Sequence, residues 1–170
     1  MSHDALARWW YRPKQWMYRR GRPHRLARVM NRVSAIHFAS GLLAPKGWVT
    51  LEVRGRRTGR LISFPVVVVD HEGGRYLVAM LGQEANWAKN VRADGGRAVL
   101  RHGRREAVRL EEVDAGARAP ILRRYLALAP GARPHIPVDR HAPLEDFQRI
   151  AAQIPVFRIT AGRSARTVPA

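Results

Sequence analysis

The sequence contains no cysteine, few lysines and few acidic residues. The absence of cysteine excludes disulfides, thiolate metal ligands and a cysteine nucleophile. Lys and Arg together number 31 and Asp and Glu 13, which gives a formal net charge of +18. Only three of these cations are lysines, so the positive charge is nearly all guanidinium, whose planar fork suits phosphates and carboxylates. A GC-rich genome also favours arginine, so the charge alone identifies no partner.

Long apolar runs are absent as well. No stretch approaches the roughly 20 apolar residues of a membrane-spanning helix. The first residues lack the uninterrupted apolar core of a signal peptide. With 170 residues, 46% of them hydrophobic, we expect a globular, cytoplasmic protein of ordinary domain size.

Residues 1–40 are predicted to form a basic, Trp- and Arg-rich helical extension ahead of a domain spanning 41–170. This segment has nine basic residues against one acid and three of the five tryptophans. Between residues 24 and 39, apolar residues at helical spacing lie opposite an arginine stripe. The pattern is typical of a helix on an anionic membrane surface, at the inner face of the cell membrane. It equally fits a helix packed on the rest of the protein, and both interpretations stay open.

From Gly47 onward the pattern is that of short strands with two or three inserted helices. The run Val66–Val69 is apolar on both faces, which predicts burial on both sides. Pro65 lacks a ladder N–H, which indicates a bulge or a sheet edge. The pattern favours an α+β fold built on a small antiparallel barrel. The predicted strands are 48–54, 60–70, 75–81, 96–102, 105–113 and 155–160, and the predicted helices are 86–94, 115–128 and 143–153.

Several kinds of catalytic chemistry have no motif here. The sequence has no GxSxG, HExxH or GxGxxG pattern, and residues 55–60 lack the ending of a phosphate-binding P-loop. His135, Asp139 and His141 share a loop, but a loop with polar residues explains them without a defined ligand set. We therefore expect no metal site and no hydrolytic mechanism.

Two segments together resemble a known family. The first is Gly55-Arg-Arg-Thr-Gly59 followed by Phe64-Pro65, and the second is Asn86-Trp-Ala-Lys-Asn90-Val-Arg-Ala93 after a strand ending Ala79-Met-Leu-Gly82. In this order and spacing they resemble the actinobacterial deazaflavin-dependent nitroreductases, also called F420H2-dependent quinone reductases. The resemblance covers residues 28–113 well. It implies a split β-barrel of about six mostly antiparallel strands with flanking helices, and it implies coenzyme F420 in preference to FMN.

The resemblance implies four groups of cofactor contacts. A turn would bind the phosphate and acidic tail, which need convergent guanidinium and N–H donors. A strand would line the ring, a loop would bring backbone to the ring edge, and a helix would close the site. These residues are Arg56, Arg57, Thr58 and Arg60 in the turn, Ile62, Ser63, Phe64, Pro65, Val66 and Val67 in the strand, Ala79, Met80, Leu81 and Gly82 in the loop, and Asn86, Trp87 and Asn90 in the helix.

Two of these groups also have a simpler interpretation, and this chain departs from the family at one four-residue run and at one single position. The turn fits a hairpin with solvated arginines, and Trp87 fits a core anchor. The family often has Ser-Lys/Asn-Gly-Gly where this chain has Leu-Gly-Gln-Glu at 81–84. It often has Arg where this chain has Ile62, for which Arg60 is the candidate replacement.

The function implied is hydride transfer from reduced F420 to a small-molecule acceptor: a quinone, a nitro compound or another conjugated compound. The cofactor supplies that chemistry, while the protein positions the reactants and excludes water. If the protein supplies a proton, Tyr125 is the first candidate and His135 the second.

Two other functions stay in view. One is a non-catalytic F420- or lipid-binding barrel, and the other is a basic nucleic-acid-binding barrel. The latter needs aromatic residues along a sheet face, whereas these strands carry aliphatic residues. A second copy of the chain is a further candidate partner.

The extension generates a prediction about membranes. Residues 1–23 hold six basic residues and three tryptophans, and each basic residue near an anionic bilayer contributes about 1 kcal/mol. We expect salt-sensitive co-sedimentation with anionic vesicles, lost when residues 1–23 are deleted, while cofactor binding survives. Vesicles without anionic lipid are the control. Equal binding by the truncated protein would contradict the assignment.

Overall fold

The computed structural model describes residues 47–162. The extension 1–40, its predicted helix and the boundary before residue 41 lie outside the described residues, so those assignments stay predictions. Among the helices between residues 47 and 162, none combines the length and apolar composition needed to cross a bilayer.

Six antiparallel strands form a closed barrel in the order β1-β2-β3-β6-β5-β4. This confirms the predicted barrel of six antiparallel strands with helices. The strands are β1 Trp48–Arg54, β2 Leu61–His71, β3 Gly74–Val78, β4 Arg97–His102, β5 Arg104–Glu112 and β6 Val156–Ala161. The helices are α1 Asn86–Ala93, α2 Ala119–Leu128 and α3 Leu144–Ala151, with 3-10 turns at Gly82–Glu84, Ala115–Ala117 and Pro130–His135.

The molecule has two hydrophobic cores, one on each side of the barrel wall. One cluster combines inward-facing strand residues with Ala88 and Val91 of α1. The other lies between the outer faces of β2, β3 and β6 and the helices α2 and α3. The valine run serves both: Val66 and Val68 belong to the first cluster, and Val67 and Val69 to the second. Burial of this run on both faces is therefore confirmed.

The first half of β2 pairs with a described strand on one side only. Residues 61–67 pair with β1, whereas pairing with β3 begins only at Val68 opposite Leu77. Pro65 lies in this half, opposite Thr50 of β1, which confirms the predicted edge position. Leu61 and Ile62, at the start of the same half, are exposed.

Strand β3 ends earlier than the prediction of 75–81. Its last pair joins Val78 to Val156, and the next residue of the facing segment is Pro155, which has no N–H. The N–H of Ala79 still donates to the Pro155 carbonyl at 2.9 Å, and Gly82 then donates to the Ala79 carbonyl at 2.8 Å. Residues 79–82 are therefore a loop rather than strand.

The predicted helix 115–128 is divided in two. A 3-10 turn covers Ala115–Ala117, and α2 begins at Ala119 with Pro120 in its first turn. Proline suits this place because the first N–H groups of a helix have no intrahelical acceptor.

Two adjacent glycines after α1 provide a matched test of the packing. Gly95 and Gly96 have φ of +61° and +83°, but only at Gly96 would a Cβ meet backbone, 2.7 Å from the Leu110 carbonyl oxygen. We expect Gly95→Ala to cost about 1 kcal/mol of unfolding free energy, from its left-handed backbone alone. Gly96→Ala should cost more than about 2 kcal/mol because a clash is added. If urea titrations gave equal losses of unfolding free energy for the two variants, this would contradict the close approach of Gly96 to the Leu110 carbonyl.

Candidate cofactor-binding site

The two motif segments meet at one end of the barrel. Asn90 on α1 is buried, and its Oδ1 accepts hydrogen bonds from the backbone N–H of Arg56 at 3.2 Å and from its guanidinium at 2.9 Å. The same guanidinium reaches the Asn86 carbonyl at 3.5 Å. Because a buried amide oxygen is costly to leave without a donor, this contact ties the turn to α1.

Internal hydrogen bonds close the turn between β1 and β2. Gly55 donates to the Arg60 carbonyl and Gly59 to the Gly55 carbonyl, both at 2.8 Å. The Thr58 hydroxyl oxygen accepts the Arg60 N–H at 3.3 Å. Gly59 has a φ of +66°, a conformation that favours glycine.

The arginines of the turn differ in their contacts. The Arg56 guanidinium is bonded to Asn90, whereas those of Arg57 and Arg60 are exposed and have no hydrogen bond or ion pair to any residue from 47 to 162. Two exposed guanidinium groups on one turn can bind a phosphate or carboxylates. The donor set therefore fits a cofactor with an anionic tail, with Arg57 and Arg60 best placed to hold it.

The open edge of β2 offers a surface for a flat ring. Ile62 is exposed, Ser63 to Val66 are partly exposed, and Val67 is buried under the helices. Along 61–67 the edge away from β1 pairs with no described strand, so backbone N–H and C=O groups can meet polar ring atoms.

Trp87 packs beside this edge. Its ring centroid lies 5.2 Å from that of Phe157 and 6.4 Å from that of Phe64, in tilted arrangements that favour aromatic pairs. The indole thus anchors α1 on the inner core, and part of it remains accessible.

The loop 79–82 lies between the two cores. Leu81 packs on the inner cluster and Met80 on the outer one. Met80, Leu81 and Gly82 also line a cavity of about 280 Å³, whose other walls are His135, Pro137, Ile150, Gln153 and Ile154.

The two candidate proton donors lie in different surroundings. Tyr125 is buried in the outer cluster, and burial raises the pKa of its hydroxyl. It is not among the residues that line the cavity. His135 does line the cavity, and partial burial lowers the pKa of its imidazole below the ordinary value, so the ring is neutral at pH 7. Their proton-donor roles stay predictions, and burial counts against Tyr125.

Some features of the site had no usable sequence signal. The cavity walls from Ile150 to Ile154 join the loop 79–82 only through tertiary packing.

Between residues 47 and 162, no three His, Asp or Glu side chains are grouped so that they could hold a metal ion.

A small antiparallel barrel with an open strand edge and a fixed arginine turn belongs to the class of cofactor-binding barrels. The model of the F420H(2)-dependent quinone reductase family matches residues 24–144, so this chain belongs to that family. The protein is an F420-dependent reductase, and its cofactor is coenzyme F420. No curated protein matches the chain.

Three solved structures are similar to this chain at low sequence identity. Atu2129 of Agrobacterium tumefaciens, of unknown function, is 12% identical over 76% of this chain and 54% of its own, with a TM-score of 0.50. An F420-H2 dependent reductase, FDR-A, is 20% identical over 69% of this chain and 97% of its own, with a TM-score of 0.44. A protein described as a domain-swapped dimer is 17% identical over 87% and 99% of the two chains, with a TM-score of 0.44.

The Asn90 contact predicts two separable effects. Asn90→Ala removes both hydrogen bonds to Arg56, each contributing about 0.5–1.5 kcal/mol, so we expect a lower unfolding free energy and about tenfold weaker F420 binding. Arg57→Ala should weaken binding about ten- to a hundredfold but leave stability within about 0.5 kcal/mol. Urea denaturation and tryptophan-fluorescence titration measure the two quantities. Equal destabilisation by both variants would contradict the division of roles.

Proposed function

We propose that the protein transfers a hydride from reduced F420 to a quinone or a similar planar conjugated acceptor, and that the acceptor binds in the cavity beside residues 80–82. The position of one loop carries this proposal. The loop expected to bring backbone against the cofactor ring also forms a wall of the cavity. Hydride transfer needs the two reactants in direct contact, so in this proposal the acceptor and the cofactor ring meet at the edge of this loop.

The lining of the cavity combines apolar and polar surface and includes no Asp, Glu, Lys or Arg. Met80, Leu81, Pro137, Ile150 and Ile154 supply apolar surface, while His135 and Gln153 supply polar atoms. Its volume is just below the roughly 300–1,000 Å³ of drug-sized sites. A one- or two-ring quinone with a carbonyl to accept a hydrogen bond suits this space better than a charged acceptor.

Each part of the site has a task in this proposal. Bound F420H2 supplies the hydride. Arg57 and Arg60 bind the anionic phosphate and tail, and Asn90 holds the turn through Arg56. The open edge of β2 orients the ring, and Met80 and Leu81 exclude water from the reacting atoms. Neutral His135 donates an N–H to the acceptor carbonyl, and solvent supplies the proton of the product.

The location of the protein is part of the proposal. We place it in the cytoplasm, held at the inner face of the membrane by residues 1–23, near a source of lipid-soluble quinone. The support is the composition of that segment. A second copy of the chain as partner stays a prediction.

The proposal is tested by comparing cofactors and acceptors. F420 should quench tryptophan fluorescence at lower concentration than FMN. Reduced F420 should be oxidised faster with the naphthoquinone menadione than with a nitroaromatic compound of similar size. Binding without turnover of either acceptor would instead support the non-catalytic alternative.

His135 gives a further prediction, since its imidazole is neutral at pH 7. His135→Leu should raise the KM for menadione about three- to tenfold, the effect of one lost hydrogen bond, while His135→Gln should retain most of the affinity. In the wild type, the rate should change little between pH 6 and 8, because the imidazole has an N–H donor in both its neutral and its charged form. A rate that instead falls as the pH rises through 6–7 would identify an imidazolium proton donor.

A further inference from the structure

The Gln83 side chain connects two walls of the cavity. Its Nε2 donates to the Ala152 carbonyl at 2.9 Å, and its Oε1 accepts from the Arg92 guanidinium at 2.8 Å. Gln83 directly follows the cavity-lining residues 80–82, and Ala152 directly precedes the cavity-lining residues 153 and 154. A single amide therefore bridges the loop, α1 and the end of α3.

Further hydrogen bonds complete a ring around the end of α3. Arg92 makes two hydrogen bonds of 2.8 Å to the Glu112 carboxylate, which also accepts from Arg118 at 3.1 Å. Arg118 is buried and donates to the carbonyls of Ala151 at 3.2 Å and Ile154 at 3.3 Å. Gln83 closes this ring, so the cavity wall is coupled to α1, the helix that carries Asn90.

The two partners of residue 83 require a side chain that both accepts and donates, as an amide does. Arginine only donates and a carbonyl only accepts, so the bridging group must accept on one side and donate on the other. A carboxylate can satisfy Arg92 but cannot donate to Ala152. Glutamine is therefore matched to both partners.

The backbone beside Gln83 leaves little room for adjustment. Gly82 has a φ of +73°, and a Cβ there would lie 3.1 Å from the Gln153 carbonyl oxygen. The loop and the end of α3 are thus in close contact across the cavity wall, and a shift of either would change the width of the cavity.

We propose that Gln83 is a positioning residue for the electron acceptor. It holds the loop 80–82 against residues 152–154 and so sets the width of the cavity. This rests on the proposed function, in which that cavity receives the acceptor.

Two substitutions and one neighbouring control test the role of Gln83. Gln83→Leu removes both hydrogen bonds, and Gln83→Glu retains the one from Arg92. Glu84→Gln is the control, because Glu84 is exposed like Gln83 but pairs with Lys89 and not with the cavity wall. In both Gln83 variants we expect the KM for menadione to rise about three- to tenfold, with kcat and the F420 dissociation constant within about twofold of wild type. The control should match wild type.

Two readouts separate this proposal from the proposed function. Menadione binding to the complex with oxidised F420 should weaken in parallel with KM, and amide hydrogen exchange of residues 79–84 should be faster in Gln83→Leu. An unchanged KM, unchanged exchange, or an equal loss of F420 affinity would overturn the positioning role. A third outcome is that the wild type binds F420 but not menadione, while amide exchange is still faster in Gln83→Leu. This result would support the role of Gln83 in the cavity wall and overturn the assignment of the acceptor to the cavity.

Discussion

The hydrogen bonds from Arg56 to Asn90 are the contact on which the cofactor site depends. They join a turn and a helix whose residues are 34 positions apart, and their acceptor is a buried amide oxygen. With the turn held on α1, the backbone that carries Arg57 and Arg60 is fixed before any ligand binds, while their guanidinium groups stay exposed. Such preorganisation lowers the entropy that binding must remove. The family resemblance assigned both Arg56 and Asn90 to the cofactor; the geometry assigns them first to each other.

The division of the molecule into two cores explains where a second reactant can approach. The inner core fixes α1 through Trp87 and its neighbours, and the outer core fixes α2 and α3. The loop 79–82 contributes Leu81 to one core and Met80 to the other, and in the proposed function it is the segment shared by the cofactor surface and the cavity. A reductase must hold donor and acceptor close together while excluding water. In the proposed function, the loop meets the first part of this requirement, because it borders both reactants.

Much of the barrel could be predicted from local sequence, because strand alternation and the doubly apolar valine run directly reflect the faces that become buried. Pro65 indicated the open edge for the same reason: a missing N–H is a local property. The end of β3 could not be predicted, since it depends on Pro155, a residue more than seventy positions away. Asn90 was identified by its motif, but its partner was not, because a hydrogen bond across 34 residues has no periodic signature. The bridge made by Gln83 was visible only as a departure from the family pattern. The burial of Tyr125 could not be predicted either, because the sequence of α2 does not show which of its faces packs on the outer core and which would face a cavity.

The most direct test of this account is a double-mutant cycle on F420 affinity with Arg56→Ala, Asn90→Ala and the double variant. Asn90→Ala removes both hydrogen bonds, whereas Arg56→Ala removes the guanidinium bond and leaves the one from the backbone N–H. If the pair acts by holding the turn, the double variant should therefore lose little more affinity than Asn90→Ala alone. The coupling free energy should then exceed about 1 kcal/mol, within the range for residues in contact. Additive losses, with coupling near zero, would mean that Arg56 and Asn90 contact the cofactor independently, and this would contradict the central role of their hydrogen bonds.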